Sequence, residues 1–316
     1  MSVNDALILD DRVRCGITLA GLSRASALDE ARRAERLGFE SLWVTDHLAF
    51  HLPITDALTL LGFAAAVTER VTLGTSIYLL PLRPAAMVAK QAASVDLLSG
   101  GRLVLGVGVG GEYPPEFEAA GVPIRERGSR LEEAIPLLRR LWSEQEVVHR
   151  GVYAKFGPIT VTPGPVQSGG PPIWVGGRSA IAMDRAGRLG DGYISHMATP
   201  DRYAANLERI AAAARAAGRA PRRFATAAFL FTWVDATEEL AAQRAAAELE
   251  RLYARSFESV VRRYCLLGPP EACRRQMQRY VDAGVRHFVI APLVDAALVA
   301  ERLAGELGPE FRTPLT

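Results

Sequence analysis

The feature that most constrains this chain is an alternation repeated eight times. A short, nearly continuous apolar run bounded by turn residues is followed by a segment with apolar residues at helical spacing. The runs are VRCGITLA (13–20), FESLWVT (39–45), VTLGTSI (71–77), RLVLGVG (102–108), PIWVGG (172–177), GYIS (192–195), FATAAFLFTWV (224–234) and RHFVIAP (286–292). Between them lie segments such as LDEARRAERLG (28–38), AAMVAKQAASVDLLSGG (85–101) and RLEEAIPLLRRLW (130–142). Strands that lack a polar alternate are buried on both faces, as in a parallel sheet covered by helices. Eight strand-then-helix units predict an α/β fold, the closed (β/α)8 TIM barrel. An open doubly wound sheet is the alternative. Its phosphate-binding glycines belong just after the first strand, where ITLAGLSRAS has no GxGxxG. Gly38, Gly100, Gly190 and Gly284 fall at helix ends, where a left-handed cap is expected.

Two stretches break the alternation. Residues 143–171 carry turn signals and two short β-like pieces without helical spacing, which predicts an insertion after the fourth unit. Residues 235–265 form a long helical insertion after strand seven, opened by the Asp235-Ala-Thr-Glu-Glu cap signal. Both are expected over one rim of a single domain spanning 1–316.

Charge then narrows the partners. With 37 Lys+Arg against 35 Asp+Glu, the net charge of +2 gives no field of the kind nucleic-acid binders use, and the expected partner is a small molecule. Three cysteines without a CxxC pair suggest neither a disulfide framework nor a thiolate zinc site, and fit a reducing compartment. The acidic N-terminal stretch does not resemble a signal peptide, and no run approaches the roughly 20 apolar residues of a membrane helix. A cytoplasmic protein is the expectation.

In such a barrel the chemistry lies at the C-terminal tips of the strands. Strand two ends in WVTDHLAFH. His47 there is a candidate acid or base, with Asp46 as its orienting neighbour. The alternative is that Asp46 caps a loop and His47 satisfies a carbonyl. His47 and His51 have i, i+4 spacing, but with five histidines in all and no His-x-His in strand one, no metal site is expected. Strand four runs into GVGVGGEYPPEF, where Gly108, Gly110 and Gly111 let backbone approach a flat ligand. Glu112 and Glu116 either face the pocket as acids or are solvated loop charges. Strand five ends in WVGGRSA: Gly176, Gly177, Arg178 and the N-capping Ser179 open a helix and together suit a phosphate, unless they form an ordinary capped turn.

Taken together, WVTDH, the stretch from VTLGTSIYLLPLRP through GVGVGGEYPPEFEAAGV, RLEEAIPLLRRLW and PIWVGGRSAIAMDRAGRLGDGYI resemble the luciferase-like family of flavin- and deazaflavin-dependent oxidoreductases over roughly residues 12–305. The resemblance implies a ring lying across the strand tips with its phosphate near the strand-five loop, and a homodimer. It also implies a non-proline cis peptide at the end of strand three, here Ser76-Ile77, with the small Ser76 where backbone presses on the ring. The paired Asp46-His47 and the glycine-rich turn are more similar to the coenzyme F420-dependent branch. On that reading His47 serves hydride transfer to or from a small substrate, and Glu112 is a second catalytic acid. Two departures stand out: His51 occupies the place of an aromatic residue four positions after the histidine, and an extra glycine displaces Glu112. Arg178 and Arg130 are candidates for contact with the cofactor's anionic groups. The competing readings are an FMN-dependent monooxygenase supplied by a separate reductase, and a non-catalytic flavin-binding barrel.

Overall fold

The structure is a computed structural model that describes residues 6–308 and 311, apart from 221, 254 and 255. The eight strands lie where the apolar runs are: β1 (Arg14–Thr18), β2 (Ser41–Val44), β3 (Thr72–Thr75), β4 (Leu103–Val107), β5 (Ile173–Gly176), β6 (Gly192–His196), β7 (Ala225–Val234) and β8 (His287–Pro292). Each pairs in parallel with its sequence neighbour, β6 pairs with β7, and β8 returns to β1, so the sheet closes. The predicted TIM barrel is therefore the fold. Around it run α1 (Arg24–Arg36), α2 (Ala57–Val67), α3 (Ala85–Leu98), α4 (Arg127–Ser143), α5 (Ala180–Leu189), α6 (Pro200–Ala216), α7 (Pro270–Asp282) and α8 (Ala296–Ala304).

Helix starts follow from local side-chain chemistry. Ser23 and Ser26 form a reciprocal capping box on α1, and Asp56, Ser179, Thr199 and Asp295 cap α2, α5, α6 and α8 through their side-chain oxygens. At the other ends Gly38, Gly100 and Gly284 are left-handed, as expected. Gly190 differs: its φ is −85° and it leaves α5 extended. An added Cβ there would meet the Ala186 carbonyl at 2.9 Å, so small size rather than handedness selects that glycine.

The barrel interior is filled from its N-terminal end by two tryptophans. Trp43 of β2 and Trp174 of β5 lie 5.1 Å apart, and His287 of β8 stands edge-on to both. Trp43 Nε1 donates to Ser41 Oγ, and Ser41 Oγ and His287 Nε2 are 2.7 Å apart, so the polar atoms of this plug satisfy one another. Glycines in facing strands clear the space. A Cβ on Gly74 would stand 2.3 Å from the Trp43 ring, and one on Gly16 would meet Ser41 Oγ. Large residues opposite none is how a small barrel reaches interior packing density.

Both insertions are present. Residues 147–159 form an antiparallel hairpin, whose turn is clamped by Glu133 of α4 accepting the backbone N–H groups of Val152, Tyr153 and Ala154. After β7 a helix, Glu238–Tyr253, lies over the rim and adds Ala241, Ala245 and Leu249 to the interior cluster. Within the Asp235-Ala-Thr-Glu-Glu signal Thr237 is the cap, accepting from the Leu240 N–H, while Asp235 takes Trp233 Nε1 and Arg244. A three-residue strand, Leu266–Gly268, unforeseen in the sequence, then pairs alongside the end of β7. Among the described residues no helix is long and apolar enough to cross a membrane.

Candidate active site

The C-terminal tips of the strands surround the mouth of the barrel. At β3 the Ser76-Ile77 peptide is cis. The Ser76 N–H donates to the Val44 carbonyl at 2.8 Å, and the chain then rejoins β4 through Tyr78, whose N–H donates to Gly106 O. Ile77 turns its side chain into the mouth, and this assigns two of the tip glycines. A Cβ on Gly108 would lie 1.7 Å from Ile77 Cδ1, and one on Gly176 2.6 Å from Ile77 Cγ2. These glycines clear room for Ile77, where the sequence suggested room for a ligand. Gly110 and Gly111 are different again, since both are left-handed (φ 62° and 113°), a conformation the turn after β4 requires. Ser76 Oγ is buried with no hydrogen-bond partner among the described residues, a condition shared by Ser195 Oγ on β6.

His47 follows β2 and is nearly buried. Its orienting partner is not its neighbour Asp46. The Asp46 carboxylate accepts from Arg83 Nη1 and Nη2 at 2.7 and 2.9 Å and from the Leu79 N–H at 2.8 Å, which ties the β2 tip to the segment following the cis bond. Burial pushes the Asp46 carboxyl above its ordinary value, while Arg83 pulls it back. His47 Nδ1 instead lies 3.1 Å from both oxygens of Glu116, a fully buried carboxylate that also accepts the Leu48 N–H. An ionised carboxylate only accepts, so in the neutral imidazole Nδ1 carries the hydrogen and Nε2 keeps the lone pair. The sequence had weighed Glu116 only as one loop acid of two. Nothing in its spacing points 69 residues back to His47.

Glu112, the other acid, is exposed and stands 3.9 Å from Arg178 across the tips of β4 and β5. Arg178 is half-exposed, with Nη1 3.9 Å from Met197 Sδ. Beside it Ser179 Oγ accepts from the Ala182 N–H and caps α5. Gly177 has a φ of 150°, and an added Cβ would meet Ala182. Arg130 lies elsewhere. Its guanidinium sits over the Tyr153 ring and on Glu126, lining a crevice of about 420 Å³ outside the barrel between α4, the hairpin and residues 80–86.

The residues present fit a flat, anionic redox cofactor. The tips of β3, β4 and β5 offer backbone and glycine rather than bulky polar side chains, Ser76 Oγ is an unmet buried hydroxyl, and Arg178 with the start of α5 provides cation and free N–H groups for a phosphate.

Comparison with known proteins gives the family. A family model described as luciferase-like monooxygenase matches residues 7–287. The chain is similar to the F420-dependent glucose-6-phosphate dehydrogenase of Intrasporangium calvum, 30% identical over 319 residues and covering 90% of this chain and 94% of that protein. It is also similar to the enzyme of the same name from Kineococcus radiotolerans, 32% identical over 314 residues, covering 90% and 92%. Among solved structures, an F420-dependent secondary alcohol dehydrogenase in complex with an F420-acetone adduct has the same fold, with a TM-score of 0.85 at 22% identity over 95% of this chain and 99% of that one.

Proposed function

The chain belongs to the luciferase-like monooxygenase family, and from that premise we propose that it is a coenzyme F420-dependent oxidoreductase moving a hydride between the deazaflavin and a small organic substrate. The observation that carries the site assignment is the pair His47–Glu116 at a mouth that also holds the Ile77 side chain, the left-handed Gly110 and Gly111, a Ser76 hydroxyl unmet among the described residues and the Arg178-bearing start of α5. F420, when bound, supplies the hydride chemistry. The chain's residues do the rest. Ser76, Ile77, Gly110 and Gly111 would back the ring, with Gly108 and Gly176 making room for Ile77, and Gly177, Arg178 and the capped helix would hold the phosphate end. His47, fixed through Nδ1, exchanges a proton with the substrate at Nε2. Glu112 then serves as the counter-ion of Arg178 rather than as a second acid, and Asp46 supports the loop instead of touching the cofactor.

We further read 1–316 as one cytoplasmic catalytic domain that pairs as a homodimer. The buried cysteines Cys15, Cys265 and Cys273 and the exposed Met87, Leu97 and Leu98 along α3 support this.

Fluorescence titration of the purified chain with F420 and FMN side by side tests the cofactor. Binding of F420 and not FMN is expected, with no oxygen consumption during turnover; the reverse pattern would return the FMN monooxygenase reading, with its separate reductase. His47→Ala is expected to lower turnover at least about a hundredfold while F420 affinity holds. Unchanged turnover would remove the histidine from the mechanism, and no turnover in either protein with F420 bound would favour the non-catalytic barrel.

A further inference from the structure

We propose that the substrate is an uncharged, mainly apolar molecule with a single reacting oxygen, a cyclic alcohol or its ketone, held between aromatic rings at the mouth. This rests on the F420-dependent reading and supplies the substrate class that reading leaves open. Rings from separate segments of one rim connect around His47. Phe50 stacks on the imidazole at 4.2 Å with the planes 21° apart, and touches His51 at 4.1 Å. Tyr113, after β4, stands edge-on to both, at 5.8 and 5.1 Å. Across the mouth Tyr253, on the helix after β7, is 6.5 Å from Phe50 and 6.2 Å from Phe231 at the end of β7, and Phe231 continues to His196 of β6 at 5.6 Å.

The sequence noted a missing aromatic residue at 51. Phe50, one position earlier, is the ring that stacks on His47. Such walls favour a flat apolar body, whereas a phosphate dianion brought against them would lose hydration that the rings do not replace. Of the nearby guanidiniums among the described residues, Arg83 is engaged by Asp46, Arg178 stands with Glu112 at the phosphate end, and Arg127, beside Gly111, donates to the Ile124 carbonyl. His47 Nε2 is then the polar point that an oxygen meets. In the oxidative direction the alcohol's C–H leaves as hydride to oxidised F420 and its O–H proton passes to Nε2, giving the ketone and reduced F420; the reductive direction returns the same atoms.

Calorimetry on the full chain without cofactor decides this, with cyclohexanone and glucose 6-phosphate as probes. Cyclohexanone is expected to bind and glucose 6-phosphate to bind more weakly. Phe50→Ala and Tyr253→Ala are each expected to weaken cyclohexanone about three- to tenfold, with the ring-retaining Phe50→Tyr close to the parent and F420 affinity unmoved in all three. Tighter binding of the sugar phosphate, or cyclohexanone affinity unchanged in both alanine variants, would overturn the inference. Because these titrations need no cofactor, a chain that binds cyclohexanone through Phe50 yet refuses F420 would strike the function above and support the aromatic mouth.

Discussion

The two ends of the barrel are built on opposite principles. At the N-terminal end the polar atoms of the plug satisfy one another. Trp43, Trp174 and His287 fill the bore, Ser41 joins their polar atoms, and glycines stand where the indoles need room. Side chains clamp the loops there: Glu35 accepts the N–H groups of Glu69, Arg70 and Val71, and Arg102 donates to the carbonyls of Ala65, Thr68, Val71 and Ser99. At the C-terminal end demands are left open. Ser76 Oγ has no partner among the described residues, Arg178 is half-exposed, and the tips present glycine and rings. One end therefore carries stability and the other chemistry, the division expected of this barrel.

The largest test of that division removes the plug. Trp43→Ala is expected to destabilise the chain by about 3–5 kcal/mol, because it opens a cavity, takes the indole donor from Ser41 Oγ and removes the ring that His287 stands edge-on to. Chemical denaturation measures it, and F420 affinity in the folded protein should stay put. A variant that kept its stability but lost the cofactor would show the two ends to be coupled.

How much of this was legible in the sequence divides along the same line. All eight strands were, because burial on both faces removes the polar alternate from each run, a property local to five or six residues. The Ser179 cap and the two insertions were legible for the same reason. What stayed hidden depends on groups distant along the chain. Gly108 and Gly176 looked like places for a ligand because their occupant, the Ile77 side chain, comes from another strand. Asp46 looked like the partner of His47 because it is adjacent, yet successive residues at a strand tip point apart, and each carboxylate went to the group its own side of the tip faces. The Leu266–Gly268 strand is too short to show a period at all.

A second, smaller test uses pH. Burial among the indoles holds His287 down at about 3, against an ordinary 6.5. A depressed histidine binds its proton in the unfolded chain first. Stability is therefore unaffected above pH 6.5, falls as pH drops from there toward 3, and levels off once the folded form is protonated too. Between pH 7 and 5 the loss attributable to this group is on the order of 1–2 kcal/mol. His287→Gln is expected to be less stable at pH 7 but to lose less between 7 and 5, read from denaturant midpoints at both values. An equally steep loss in the variant would mean that the lower end is wetter than its packing implies.

The smallest effect is the most discriminating for the upper end, because two roles for Glu112 predict opposite signs. As a catalytic acid, its replacement by glutamine would cost turnover at least about a hundredfold. As the exposed counter-ion of Arg178, 3.9 Å away, it competes with an anionic cofactor for the same guanidinium. Its neutralisation then leaves turnover intact and tightens F420 binding about two- to fivefold, an advantage that shrinks as salt screens the pair. Titrating F420 into Glu112→Gln at low and high ionic strength separates the two. A salt-independent affinity with collapsed turnover would move the acid back to Glu112 and leave Glu116 as a support for the imidazole alone.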